Sequence, residues 1–133
     1  MKTIALIEKG KDGTYGIYTP DIDHTIIGSG ETVAEAKIDF ENSVEEMLLS
    51  YIETGRAIPK ELRGISFEYK YDLASLFNYY SWINVSKFAK IAGINAGLMR
   101  QYKVGMAYIS EAQTQKIEAA LHKLGKELIA VKL

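Results

Sequence analysis

The stretch Asn84 to Gly105, NVSKFAKIAGINAGLMRQYKVG, constrains the chain more than any other. Counted from Val85, Ala89 falls fifth, Gly93 ninth, Met99 fifteenth and Tyr102 eighteenth. Two short helices crossing at a fixed angle need this order. The fifth position lies close against the second helix and must be small. The ninth turns the chain, usually with positive φ, which glycine adopts at little cost. Phe88, Ile91, Ile94, Leu98, Met99 and Tyr102 then supply the apolar contacts, and Asn84 and Asn95 are placed to cap the two helices. The spacing predicts a helix-turn-helix. Its outward face carries Asn95, Ala96, Gly97, Arg100, Gln101 and Lys103, a cationic, acid-free surface with small residues first, suited to a major groove. Arg100 and Gln101 are expected to reach base edges, and Ser86, Lys87, Lys103 and Tyr108 to contact phosphate. A purely structural pair of amphipathic helices is the competing reading. Gly97 inside the second helix costs about 1 kcal/mol relative to alanine; it either permits close approach to DNA or only weakens the helix.

Charge divides the chain ahead of this stretch. Residues 1–72 hold 8 Lys+Arg and 14 Asp+Glu, a net of −6, whereas residues 73–133 hold 8 and 3, a net of +5. In a chain of 133 residues, enough for two small domains, this points to two modules with different partners. The basic half would engage phosphates by releasing counterions. The acidic half would be repelled by nucleic acid and attracted to a basic protein. The absence of cysteine excludes disulfides, thiolate metal sites and cysteine nucleophiles. No window approaches the run of about 20 apolar residues that a membrane span requires. The start, MKTIALIEKGKDG, is charged too soon for a signal peptide. A cytoplasmic location is expected.

In the acidic half, Lys2 to Glu8 and Tyr15 to Thr19 read as a hairpin around the Lys9–Gly13 turn, and Pro20 ends the ladder. Thr25 to Ile27 gives a third strand, with Gly28-Ser29-Gly30 as the turn after it. Thr32 and Glu35 form a capping box for a long helix. Its apolar stripe runs through Val33, Ala36, Phe40, Val44, Met47, Leu48, Tyr51 and Ile52, with Phe40 and Val44 expected at the core's centre. Gly55 is placed to cap its end. Ile65 to Tyr71 alternates strictly and reads as a fourth strand, making a β-β-β-α-β module over residues 1–71. If the third and fourth strands are parallel, their connection is a right-handed crossover.

In the basic half, residues 72–133, Asp72 caps a helix expected to run to Trp82 with Leu73, Leu76, Phe77, Tyr80 and Trp82 as burial candidates. The two motif helices follow, then a loop over Met106 to Ile109. Ser110 and Gln113 form a second capping box for a last helix that Gly125 should end near Leu124. The tail Glu127 to Leu133, ELIAVKL, reads as a strand. Pairing with the same strand of a second chain would give a symmetric dimer, and folding back on the N-terminal sheet is the alternative. The expected fold class is α+β, with a terminal dimerisation strand.

Catalytic patterns are weak. Asp21, Asp23, Glu31 and Glu35 are the carboxylates available for two-metal chemistry, but a loop and a helix start are where solvated acids are expected anyway. His24 and His122 belong to no ligand or triad spacing. Gly28-Ser29-Gly30 lacks the lysine of a phosphate loop. No catalytic residue, metal or cofactor is expected.

The order of these signals in GTYGIYTPDIDHTIIGSGETVAEAKIDFENSVEEML resembles the HicB antitoxin family: a glycine-aromatic strand, the Pro20-Asp21 break, a glycine-threonine step and a glutamate-alanine helix start. The resemblance covers roughly residues 2–71. The chain departs from the family at Asp23-His24, where a glycine usually follows the Pro-Asp pair. The second half is similar to the repressor-like Xre class at Phe88, Ala89, Gly93, Ile94 and Gly105. The resemblance implies a partial RNase H-like domain followed by a helix-turn-helix domain, in the antitoxin of a type II toxin–antitoxin pair. It implies a HicA-like basic mRNA interferase as partner and repression of the shared operon. The first module's thin core and exposed edges, with the terminal strand, lead to the expectation of a homodimer or tetramer. Asp21, Asp23, Glu41, Glu45 and Glu46 are the candidate toxin contacts. The alternative is a stand-alone repressor whose acidic module binds a small ligand.

Overall fold

The computed structural model describes residues 1–133. It is an α+β protein with five strands and five α-helices. The chain divides into two compact units, Met1–Lys70 and Tyr71–Leu133. No helix is long and apolar enough to cross a membrane.

In the first unit, β1 (Lys2–Lys9), β2 (Tyr15–Tyr18) and β3 (Ile27–Gly30) form an antiparallel meander. Ile7 lies opposite Ile17, and Ile17 opposite Gly28. The β1–β2 turn is tied by Asp12, whose carboxylate accepts from the Thr14 hydroxyl at 2.7 Å and the Thr14 N–H at 2.9 Å. Those bonds hold the Asp12 carboxyl below its ordinary pKa. Within the first unit the strand order is β3-β2-β1-β4, with β4 at Ser66–Tyr71; β5 is a two-residue strand at Ile109–Ser110 in the second unit. Beside β1, the Met1 amino group donates to the Gly64 carbonyl at 3.2 Å and the Ser66 N–H donates to the Met1 carbonyl at 2.9 Å. One residue bonding to two positions two apart is a parallel ladder. β3 and β4 are therefore parallel but not neighbours, and the segment joining them passes β2 and β1.

That segment carries α1 (Val33–Glu53). Thr32 Oγ1 accepts from the Glu35 N–H at 3.1 Å, and the Glu35 carboxylate accepts from the Glu31 N–H at 3.0 Å. The helix lies directly on β3. A Cβ on Gly28 would stand 2.4 Å from the Phe40 nitrogen, and one on Gly30 would stand 2.6 Å from Glu35 Cβ. Gly28-Ser29-Gly30 is therefore part of a strand rather than a turn, and its glycines let helix and strand backbones touch. Phe40 is fully buried and meets Phe67 edge-on at 4.9 Å and Tyr69 at 6.2 Å. Val44, expected at the core's centre, is only half-buried, and Ile52 is exposed. The reason is length: at 1.5 Å per residue α1 spans about 31 Å, more than twice the four-residue β3 beneath it.

In the second unit, Asp72 caps α2 (Leu73–Tyr79) by accepting from the Ala74 N–H at 3.1 Å. This helix stops short of Trp82, which is 66% exposed rather than buried. Then come α3 (Val85–Ala92), α4 (Ala96–Lys103) and α5 (Glu111–Ile129). Leu73, Phe77, Val85, Phe88, Ala89, Met99, Tyr102, Ile109, Ile117 and Ala120 form one buried core. Ser110 makes no capping hydrogen bond, so the second capping box is not formed.

The terminal strand is also absent. The helix runs through Gly125 to Ile129, and the Ala130 N–H still bonds to the Lys126 carbonyl at 3.1 Å. One interior glycine costs about 1 kcal/mol, too little to stop a helix already propagating cooperatively. Glu127 to Ile129 have their backbone groups inside the helix, and Val131 to Leu133 form no strand.

Candidate nucleic-acid interface

Three capping devices fix the α3–α4 pair. Asn84 Oδ1 accepts from the Lys87 N–H at 3.0 Å, starting α3. Gly93 ends it in the left-handed region, at φ 69° and ψ 32°, and the Ile94 N–H returns to the Ala89 carbonyl at 3.0 Å. Asn95 Oδ1 then accepts from the Leu98 N–H at 3.2 Å, starting α4. Beneath the pair Phe88, Ala89, Ile94, Met99 and Tyr102 are buried, and desolvation raises the Tyr102 phenol above its usual pKa. Ile91 was expected among these contacts but is 42% exposed. Gly97 has a local role: a Cβ there would stand 3.0 Å from Asn95 Oδ1, crowding the cap.

Ser86, Lys87, Asn95, Arg100, Gln101, Lys103 and Tyr108 are exposed, and Ala96 and Gly97 are half-buried. Three of them converge. Ser86, Arg100 and Lys103, with Asn84, line an open cleft of about 410 Å³ over Ile83 and Val85. Arg100 Nη1 donates to Ser86 Oγ at 3.4 Å across it. The N-terminal, positive end of α3 opens into the same cleft, and neither α3 nor α4 carries an acidic side chain. Two cations and a helix N-terminus around one opening suit a phosphate oxygen. Lys87 instead lines a smaller groove with Trp82, Phe88, Ile91 and Leu124, and Gln101 and Tyr108 do not line the cleft. Asn84 was visible in the sequence as a cap only. Its place beside Arg100 depends on the angle between α3 and α4.

The acidic candidates fall into two groups. Asp21 and Asp23 are exposed on the β2–β3 loop. His24 pins that loop: its Nδ1 bonds to the Glu61 carboxylate, and its Nε2 lies 3.3 Å from the Tyr51 hydroxyl near the end of α1. The His24 bond holds the Glu61 carboxyl below its ordinary pKa. Thr19 Oγ1 donates to the His24 carbonyl and accepts from the Ile26 N–H, each at 3.1 Å. Glu41, Glu45 and Glu46 are exposed further back along α1, about 8–15 Å before Tyr51 along the axis. Glu41 accepts from the Tyr69 hydroxyl at 3.1 Å. The His24–Glu61–Tyr51 knot joins positions up to 37 residues apart, which no local pattern in the sequence signals. Of the carboxylates considered for metal chemistry, Glu35 is engaged at the helix cap. No group of three or more His, Cys, Asp or Glu side chains is placed to hold a metal ion.

A scan against protein-family models and searches of curated proteins and of solved structures found no match to this chain.

Proposed function

We propose that this chain is a HicB-like antitoxin. In this reading the second unit is a Xre-type helix-turn-helix that binds operator DNA and represses its own operon. The first unit is a partial RNase H-like module that binds a basic, HicA-like mRNA interferase and has no catalytic role of its own. One observation carries the reading: the exposed, acid-free face of α4, bordered by the Ser86–Arg100–Lys103 cleft at the start of α3. Phosphates seated in that cleft would set the register, leaving Arg100 and Gln101 to read bases. The acidic first unit, with Asp21, Asp23, Glu41, Glu45 and Glu46 exposed, supports a basic protein partner. The parallel placement of β4 beside β1, with one helix on the meander, supports the RNase H-like comparison.

The stand-alone repressor reading has one observation in its favour, an open cleft of about 410 Å³ at the β1–β2 hairpin lined by Glu8, Lys11, Asp12, Thr14, Tyr15 and Ser29. A small basic protein encoded beside this gene favours the antitoxin over it. The test of DNA binding is titration of the protein's own promoter region at several salt concentrations. Log affinity should fall linearly with log salt. Absence of binding at low salt removes the proposal.

A further inference from the structure

The strand β3 stands at one edge of the first unit's order β3-β2-β1-β4. In an antiparallel ladder every second residue turns its N–H and C=O away from the partner strand. The Ser29 N–H donates to the Asp39 carboxylate on α1 at 2.8 Å, so Ser29 is one of these outward residues. Ile27 and Glu31, two residues to either side, share its direction. The Glu31 N–H is also taken by α1, where the Glu35 carboxylate accepts it at 3.0 Å. A capping box would send that carboxylate to the N–H of the N-cap, Thr32. Here it reaches one residue further back, onto the line of the strand.

Both contacts follow one geometry. Two residues along a strand advance about 6.8 Å, and four along a helix advance about 6 Å. Glu35 and Asp39, four apart on α1, therefore meet Glu31 and Ser29, two apart on the edge of β3. The missing Cβ atoms of Gly28 and Gly30 bring α1 close enough for this. Continued by one step, the row sets Ser43 opposite Ile27. Ser43 Oγ donates to the Asp39 carbonyl and offers no carboxylate, and Ile27 is 59% exposed.

We infer that α1 is an autoinhibitory stand-in for a neighbouring strand: Glu35 and Asp39 occupy the donors that the carbonyls of an incoming extended segment would need. Strand addition at a sheet edge draws its affinity from those main-chain bonds. With two of the three outward N–H groups taken, β3 is closed to it, and Ile27 is the one open rung. An edge that the sequence leaves exposed is in this way covered from within the unit. A partner approaching it meets side chains rather than backbone. None of this depends on the DNA or toxin reading, because it concerns the chain's own amides.

The experiment is amide hydrogen exchange of the full chain, followed residue by residue by nuclear magnetic resonance. In the wild type, Ser29 and Glu31 should be protected about tenfold or more over Ile27, although all three lie on the edge. Asp39→Ala should remove the protection of Ser29, while Gly28, whose N–H faces β2, keeps its own. Asp39→Asn, whose side-chain oxygen still accepts, should retain most of it. Ser43→Asp should slow exchange at Ile27, a gain that loss of folding cannot imitate. Closure of the edge is read in the double variant Glu35→Ala/Asp39→Ala, where thioflavin T fluorescence should rise as edges pair while the wild type stays dark. Ser29 exchanging as fast as Ile27 in the wild type, or unchanged by Asp39→Ala, overturns the inference. So do an Ile27 amide that Ser43→Asp leaves unprotected and a folded double variant as dark as the wild type.

Discussion

Gly28 in the first unit and Gly93 in the second do opposite things. Gly28 lies in a strand, and what matters is the missing Cβ: the backbone of α1 occupies the place where one would stand. Gly93 has open space around it, and what matters is the sign of φ, 69°. The first unit is thus built on close contact between a helix and a sheet, with Phe40 filling what the glycines open. The second is built on turning angles and caps, with its core below and its polar face left outward. A contact-limited unit fails when volume changes. A turn-limited unit tolerates volume at its turn and fails when the helix angle or its surface charge changes.

The largest expected effect tests the contact-limited half. Phe40→Ala should cost roughly 3–5 kcal/mol, measured as a lowered urea midpoint of the first unit. An unchanged midpoint would mean α1 does not pack through Phe40. Next comes the surface of the second unit. Arg100→Ala should lose about 1–3 kcal/mol of discrimination between operator and random DNA while leaving stability alone. Lys103→Ala should weaken both kinds of binding about equally and lower the salt slope by roughly one. An intact affinity ratio in Arg100→Ala would place sequence readout elsewhere.

Smaller again, Gly93→Ala should cost about 1–2 kcal/mol, the penalty of a left-handed residue with no accompanying clash. A loss as large as that of Phe40→Ala would erase the distinction between the two glycines. The smallest effect is that of Glu61→Gln, read from urea midpoints at neutral and acidic pH. Glu61 is held below its ordinary pKa by His24, so its contribution is present above the unfolded carboxylate value and is lost as pH falls through the folded one. The wild type should therefore exceed the variant at neutral pH and converge with it in acid. A difference that persists in acid would mean the pairing is not what holds the loop.

The local code was legible where it depends on residues within one turn of each other. Thr32, Asp72, Asn84 and Asn95 each cap the helix their spacing announces, and Gly93 turns the chain where the motif needs it. The β-β-β-α-β order and the alternation of β4, with Phe67 and Tyr69 toward Phe40, follow from periodicity alone. Tertiary structure decided the rest, because the deciding atoms are far apart in sequence. Gly28-Ser29-Gly30 has the composition of a turn, and only the approach of Phe40 explains glycine in a strand. ELIAVKL has the composition of a strand, but its first three residues, Glu127 to Ile129, are the last of α5 and the rest forms no strand, since extending an existing helix requires no new partner. Trp82 has the hydrophobicity of a core residue but lies past the end of α2, outside the core. The cleft beside Arg100 needs the angle between two helices. That angle is set by Ala89, Met99 and Tyr102 packing together, and no single stretch of sequence contains it.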